Sequence, residues 1–299
     1  MASVYNEISG NKIRTFLIMF LFIGIITAFF YIIGLFFGSP TTYFAVGMGF
    51  SLFSSVGSYF FSDKIVLMTT GAKPATKKDF FDFYTVTENL SMASGTPMPK
   101  LYVVDDPAPN AFATGRDPQH AVVAATTGLL SMMNRSELEG VIAHELSHIK
   151  NYDILLSSVV AVLVGTIALV ADWVMRSMWW GGGDNEDRGK RNPIMFVILI
   201  VSLILAPIAA TLIQLAISRR REFLADASGA LTTRYPEGLA RALGKIAAYP
   251  YTMRSATSAT EHLFIENPFK KKGKKESWLM SLFSTHPPVD ERIRILRSM

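Results

Sequence analysis

Cysteine is absent from all 299 residues. That excludes a disulfide framework, and it excludes thiolate from any metal site. A metal bound by this chain has to be held by imidazole and carboxylate. Charge is also scarce. Only 18% of the residues are charged, below the roughly 25% of an ordinary soluble domain, whereas half are hydrophobic. No RNA- or DNA-reading motif is visible. The net charge of +5 is modest, and the basic residues lie mostly beside apolar runs, which points to a lipid bilayer and its headgroups instead of nucleic acid.

What is present in quantity is long apolar sequence. The run TFLIMFLFIGIITAFFYIIGLFF, residues 15–37, carries no charge and exceeds the roughly 30 Å hydrocarbon core of a bilayer. Lys12 and Arg14 precede it, as in a signal peptide, but the run is too long for one. GSPTTY then turns the chain into a second apolar run instead of offering a cleavage site. That second run, Tyr43 to Phe61, is softened by glycines and serines, which suit close helix packing in lipid. A third run covers 154–171, continuing as a helix to about 175, and a fourth covers 194–218 with a kink expected at Pro207. MWWGGGDNEDRGKRNP between them reads as a solvent loop, and Trp173, Trp179 and Trp180 as an interfacial belt.

Four spans put both termini on one side. Lys12, Arg14, Lys64, Arg219, Arg220 and Arg221 lie there, and the 38–42 link opposite carries no basic residue. By the positive-inside rule that side is the cytoplasm, although Arg176, Arg188, Lys190 and Arg191 on the far loop run against the rule. The chain divides accordingly into a hairpin at 1–62, a first soluble part at 63–153, a second hairpin at 154–218 and a second soluble part at 219–299.

The soluble parts read as mixed α and β. DFFDFYTVTENLSMAS has helical spacing, and KLYVVDD and HAVVAATTGLL are valine-rich strands with NAFATG a short extended piece between them. SELEGVIAHELSHIKN is a helix, with Ser136 and Glu139 at capping-box spacing. SRRREFLADASGALTTR is helical to about Leu231, Pro236 starts another helix, and 251–285 is irregular around a loop at NPFKKKGKKES.

HELSH carries the chemistry. His144 and His148 are four residues apart, so they share one helical face and their ring nitrogens can share a zinc ion. Glu145 then points at the water that zinc activates, taking its proton during attack and returning it to the leaving amine. A third protein ligand is needed. The candidates are His120, His262, His286 and the acids. Glu222 stands out because REFLAD places it four residues beyond the fourth span. If spans three and four pack antiparallel, with the third continuing the helix that bears the histidines, Glu222 and His148 meet at one height above the lipid. Asp226, one turn on, can accept a ligand histidine's second N–H.

HELSH, two spans, REFLAD and then STHPPVDERI together resemble the HtpX-type membrane zinc metalloproteases, bacterial stress-response enzymes related to the CAAX prenyl proteases. The likeness covers nearly the whole chain. It implies an α-helical membrane protein of four transmembrane helices with an α+β, gluzincin-like zinc protease domain on the cytoplasmic side of the inner membrane. It implies one Zn2+ per chain on His144, His148 and Glu222, Glu145 as general base, and degradation of misfolded or damaged membrane proteins. It also implies that Asn110, Ala111 and Phe112 form an edge strand pairing with extended substrate, and that His286 and Arg292 stabilise the oxyanion. His120 and His262 are given no role.

Other readings compete. A zinc-binding transporter would carry charges at mid-depth in its spans, where these runs have none. A non-catalytic zinc scaffold would not need Glu145. A protease processing one dedicated membrane-associated peptide remains compatible with every motif.

Overall fold

The computed structural model describes residues 4–36, 38–180, 209, 211–212, 218–269 and 287–299. The loop after Trp180, most of the fourth apolar run with Pro207, the KKKGKK stretch and His286 lie outside the described residues.

Three described helices are long and apolar enough to cross a membrane: α1 (Val4–Phe36), α2 (Pro40–Thr70) and α6 (Asp153–Trp180). They pack on one another through Phe22, Ile26, Leu156, Val160 and Leu163. The face that α2 buries is built from small residues, Gly47, Ser51, Ser55, Ser58 and Ser62, so the backbones approach closely. A β-carbon added to Gly47 would sit 2.5 Å from Phe30 Cβ. Ser51 Oγ donates to the Met48 carbonyl at 3.1 Å and Ser58 Oγ to the Ser55 carbonyl at 2.7 Å. Beyond the apolar stretch α2 does not stop at residue 61. It continues to Thr70 and ends at Gly71, whose φ of 66° supplies the left-handed cap.

The remaining elements surround a four-stranded sheet: β1 (Lys73–Pro74), β2 (Lys100–Val104), β3 (Ala111–Gly115) and β4 (Ala121–Thr126), in spatial order β1-β2-β4-β3. β2 and β4 run parallel, with Leu101 opposite Val123, and β3 pairs antiparallel with β4, Ala113 opposite Val123. β3 is therefore an edge strand. The helices are α3 (Phe81–Ser94), α4 (Thr127–Met132), α5 (Arg135–Lys150), α7 (Arg219–Thr233), α8 (Pro236–Ala248) and α9 (Val289–Arg297). The core under the sheet joins Val86, Leu129, Val141, Ile142, Leu146 and Leu243, which places α5 at the centre of the domain.

Two expectations are corrected here. The capping box of α5 is Asn134 with Glu137, not Ser136 with Glu139. Asn134 Oδ1 accepts from the Glu137 N–H at 3.0 Å, and Glu137 Oε2 accepts from the Asn134 N–H at 2.9 Å. The helix begins one residue before Ser136, so that hydroxyl is already helical and donates to Asn134 Oδ1, while Glu139 pairs with Arg135. Nor does α6 continue α5. The chain breaks at Asn151 and Tyr152, with Tyr152 at φ 59°, and restarts at Asp153. A left-handed tyrosine is uncommon, and Lys12 of α1 sits 4.2 Å above its ring.

Candidate metal centre

Because α5 turns once every 3.6 residues, His144 and His148 lie one above the other, their Nε2 atoms 3.1 Å apart. α7 crosses beside them. Gly229 permits that approach, since a β-carbon there would stand 3.1 Å from the His144 backbone nitrogen. The crossing delivers Glu222: Oε2 lies 3.7 Å from His144 Nε2, and Oε1 lies 3.6 Å from His148 Nε2. One ligand atom from each of the three residues falls within 4.8 Å of the others. Two imidazole nitrogens and one carboxylate converging on a point are a donor set suited to a divalent transition metal, and it leaves room for a further ligand.

A carboxylate faces the far side of each imidazole, where it can orient the ring. Asp226 Oδ1 is 2.9 Å from His144 Nδ1, and Asp153 Oδ2 is 2.9 Å from His148 Nδ1. Asp226 follows Glu222 by four residues, so both face α5. Asp153 was not anticipated, because only the break at Tyr152 brings the first residue of α6 back over His148.

Electrostatics follow from these contacts. Burial opposes the charged form of His148, but the Asp153 hydrogen bond and the charges of Glu222, Asp153 and Glu145 prevail and raise it to about 9. The metal-free site therefore holds a proton at neutral pH. Burial raises Glu145 above the usual carboxylate range, despite the opposing pull of both histidines, which suits a proton-accepting group. Asp226 would also be raised by burial. Arg292 reverses that and brings it to about 2.

Arg292 itself stands elsewhere than the resemblance implied. It is completely buried, grips Asp226 with Nε at 2.8 Å and Nη2 at 2.7 Å, and donates from Nη1 to the Ile265 carbonyl at 3.0 Å. It also lies 3.7 Å from Glu222 Oε2. This is a brace behind the ligands, not a group lining the cleft before them. The edge strand differs too. Asn110, Ala111 and Phe112 are taken up by the chain itself: Phe264 bridges Phe112, the Ile265 N–H donates to the Ala111 carbonyl at 3.0 Å, and Asn110 Nδ2 donates to the Glu266 carbonyl at 3.0 Å. Ala113 is the β3 residue that reaches the cleft, together with Glu145, His262, Leu263 and Ser157. His262, given no role from sequence, donates from Nε2 to the Ser157 carbonyl at 3.0 Å in that wall. His120 is remote and exposed, paired with Asp117 at 2.8 Å.

Two imidazoles on one turn, a carboxylate from a second helix and a buried acid at the mouth define a metal-dependent hydrolase. The family description of peptidase family M48 matches residues 79–299. A protease HtpX homolog of Tropheryma whipplei is 47% identical over 99% of this chain and 98% of its own length. One from Caldanaerobacter subterraneus is 53% identical over 80% and 78% respectively. The crystal structure of S. mikatae Ste24p shares the fold, with a TM-score of 0.51 at 17% identity. That match covers 96% of this chain but only 65% of the Ste24p chain. This chain belongs to peptidase family M48 and is a membrane metalloprotease that acts on polypeptides.

Proposed function

We propose that the chain is a zinc endopeptidase of the bacterial inner membrane, its centre facing the cytoplasm, that cleaves misfolded or damaged membrane proteins as part of stress-response quality control. The convergence of His144 Nε2, His148 Nε2 and the Glu222 carboxylate, beside membrane-length helices, carries this reading. Further support comes from the likeness to protease HtpX homologs and from the basic residues that gather at the span ends on the side of the site.

One zinc ion per chain fits His144, His148 and Glu222 as ligands. When bound it supplies Lewis acidity, drawing the pKa of a coordinated water towards neutrality and polarising a carbonyl. The protein's own residues do the rest. Asp226 and Asp153 keep both imidazoles oriented. Arg292 keeps Asp226 ionised. Glu145 takes the proton of the attacking water and returns it to the departing amine. An extended substrate would meet β3 at Ala113 and beyond, since Asn110–Phe112 already pair with Phe264–Glu266. His286, outside the described residues, is proposed to act on the oxyanion. The fourth span and both soluble parts complete a multi-pass arrangement.

Glu145→Gln in detergent-purified full-length protein tests the reading. Zinc content should match the wild type, while cleavage of an unstructured protein should fall by about 10²–10⁴-fold. Full activity in that variant would overturn the mechanism. Unchanged zinc stoichiometry in Glu222→Ala would remove Glu222 from the ligand set.

A further inference from the structure

We propose that Asn11, on the first membrane helix, is a positioning residue of the metal centre, acting on His148 through Asp153. This rests on the zinc-protease reading above. Asn11 is fully buried, 142 residues away from Asp153 in sequence. Its side-chain amide spends both N–H groups at the α5–α6 break: Nδ2 donates to Asp153 Oδ1 at 2.7 Å and to the Asn151 carbonyl at 3.0 Å. Its Oδ1 faces Arg221 Nη1 at 3.5 Å. Both N–H groups and the oxygen of the amide are thus engaged.

The two oxygens of Asp153 face opposite ways. Oδ2 takes His148 Nδ1 at 2.9 Å, whereas Oδ1 takes Asn11 at 2.7 Å, with Arg221 farther off at 3.5 Å. A carboxylate turns as a rigid plane, so whatever fixes Oδ1 also fixes Oδ2 and the imidazole beyond it. If Asn11 served only to cap α5, the bond to the Asn151 carbonyl would suffice. The shorter bond to Asp153 ties the first membrane helix into the orientation of a metal ligand. Without it, Asp153 is free to swing towards Arg221 and leave His148 unsupported. Thr15, one turn along, is a neighbour without this link: among the described residues its hydroxyl donates only to the Asn11 backbone carbonyl, at 2.8 Å.

The test uses full-length protein in detergent, titrated with zinc and, separately, with cobalt(II) read by its visible absorption. Asn11→Leu should weaken zinc binding by about 10–100-fold and alter the cobalt spectrum, the range seen when the outer partner of a metal-bound histidine is lost. Thr15→Val should leave both unchanged. Asp153→Asn should weaken binding similarly, and the double variant should be no weaker than the worse single, because both substitutions break one relay. Wild-type affinity and spectrum in a folded Asn11→Leu protein would overturn the proposal, as would fully additive losses in the double variant. If thermal unfolding shows that Asn11→Leu does not fold, Asn11→Ser, too short to reach Asp153, is judged by the same criteria. Failure of the wild type and Thr15→Val alike to bind metal would instead sink the zinc reading itself.

Discussion

The membrane hairpin and the metal centre sort their side chains in opposite ways. Along the apolar stretch of α2 large apolar groups face outwards, Phe53 at 80% exposure, while serines are buried. In the centre, charge is what lies inside: Arg292 at 0%, His144 and Asp226 at 1%, Glu145 at 2%. Lipid tails are as apolar as a phenylalanine ring, so nothing drives large side chains inwards there, and small residues win by letting backbones touch. Beside water the apolar groups retreat, and a charge can follow them only if its partners come with it. Each region therefore fails in its own way when disturbed.

The centre should fail most severely. Arg292→Met strands Asp226 as a buried charge without its counter-ion. A loss of about 3–5 kcal/mol is expected from breaking one partner of a buried pair, read as a lowered midpoint of thermal unfolding in detergent. Adding Asp226→Leu should restore much of that stability, because an apolar pair of similar volume removes the stranded charge. Metal affinity should stay low, since His144 has lost its brace. Restored metal binding in the double variant would show that Asp226 does not orient His144.

The raised pKa of His148 gives the centre a pH dependence. A histidine lifted to about 9 stabilises the metal-free fold fully below its ordinary 6.5, and that contribution is lost as pH rises through 9. A ligand must be neutral, so metal has to displace the proton. Apparent zinc affinity should therefore climb about tenfold per pH unit from 7 towards 9 and then level off. A flat profile over that range would mean His148 is already neutral in the metal-free protein.

The hairpin should break by crowding instead. Gly47→Val drives new methyl groups into Phe30, where even a β-carbon sits 2.5 Å from its neighbour, and overpacking of this kind costs about 1–3 kcal/mol. Because the disturbance lies far along α1 from Asn11, zinc affinity of the surviving folded protein should match the wild type.

Much of this was legible in the residues because the information is local. HELSH fixes its geometry by helical spacing alone, and Glu222 with Asp226 repeats that spacing on a second helix. The strands announced themselves through valine runs. What escaped is what only contact reveals. NYD contains neither glycine nor proline, so the break at Tyr152 looks like continuous helix, and with it the approach of Asp153 to His148 was hidden. Asn11 and its partner are separated by 142 positions. Phe264–Glu266 has no strand pattern, yet it occupies the edge that Asn110–Phe112 offered. Lys73–Pro74 is too short to show any period.

The smallest expected difference separates two helix starts. At α5, Asn134 accepts from the Glu137 N–H and Glu137 accepts from the Asn134 N–H, so two backbone donors at a helix end are satisfied by side chains. At α2, Ser39 makes no side-chain cap bond and Pro40 supplies the first turn. Proline has no N–H to satisfy and its φ is already helical, so the serine hydroxyl contributes nothing there. Asn134→Ala should therefore lower stability by about 1 kcal/mol, the usual loss for an N-cap side chain. Ser39→Ala should leave it unchanged in the same thermal unfolding measurement. Equal losses would mean that the two ends are capped alike, and that the water-facing and lipid-facing parts of this chain start their helices by the same means.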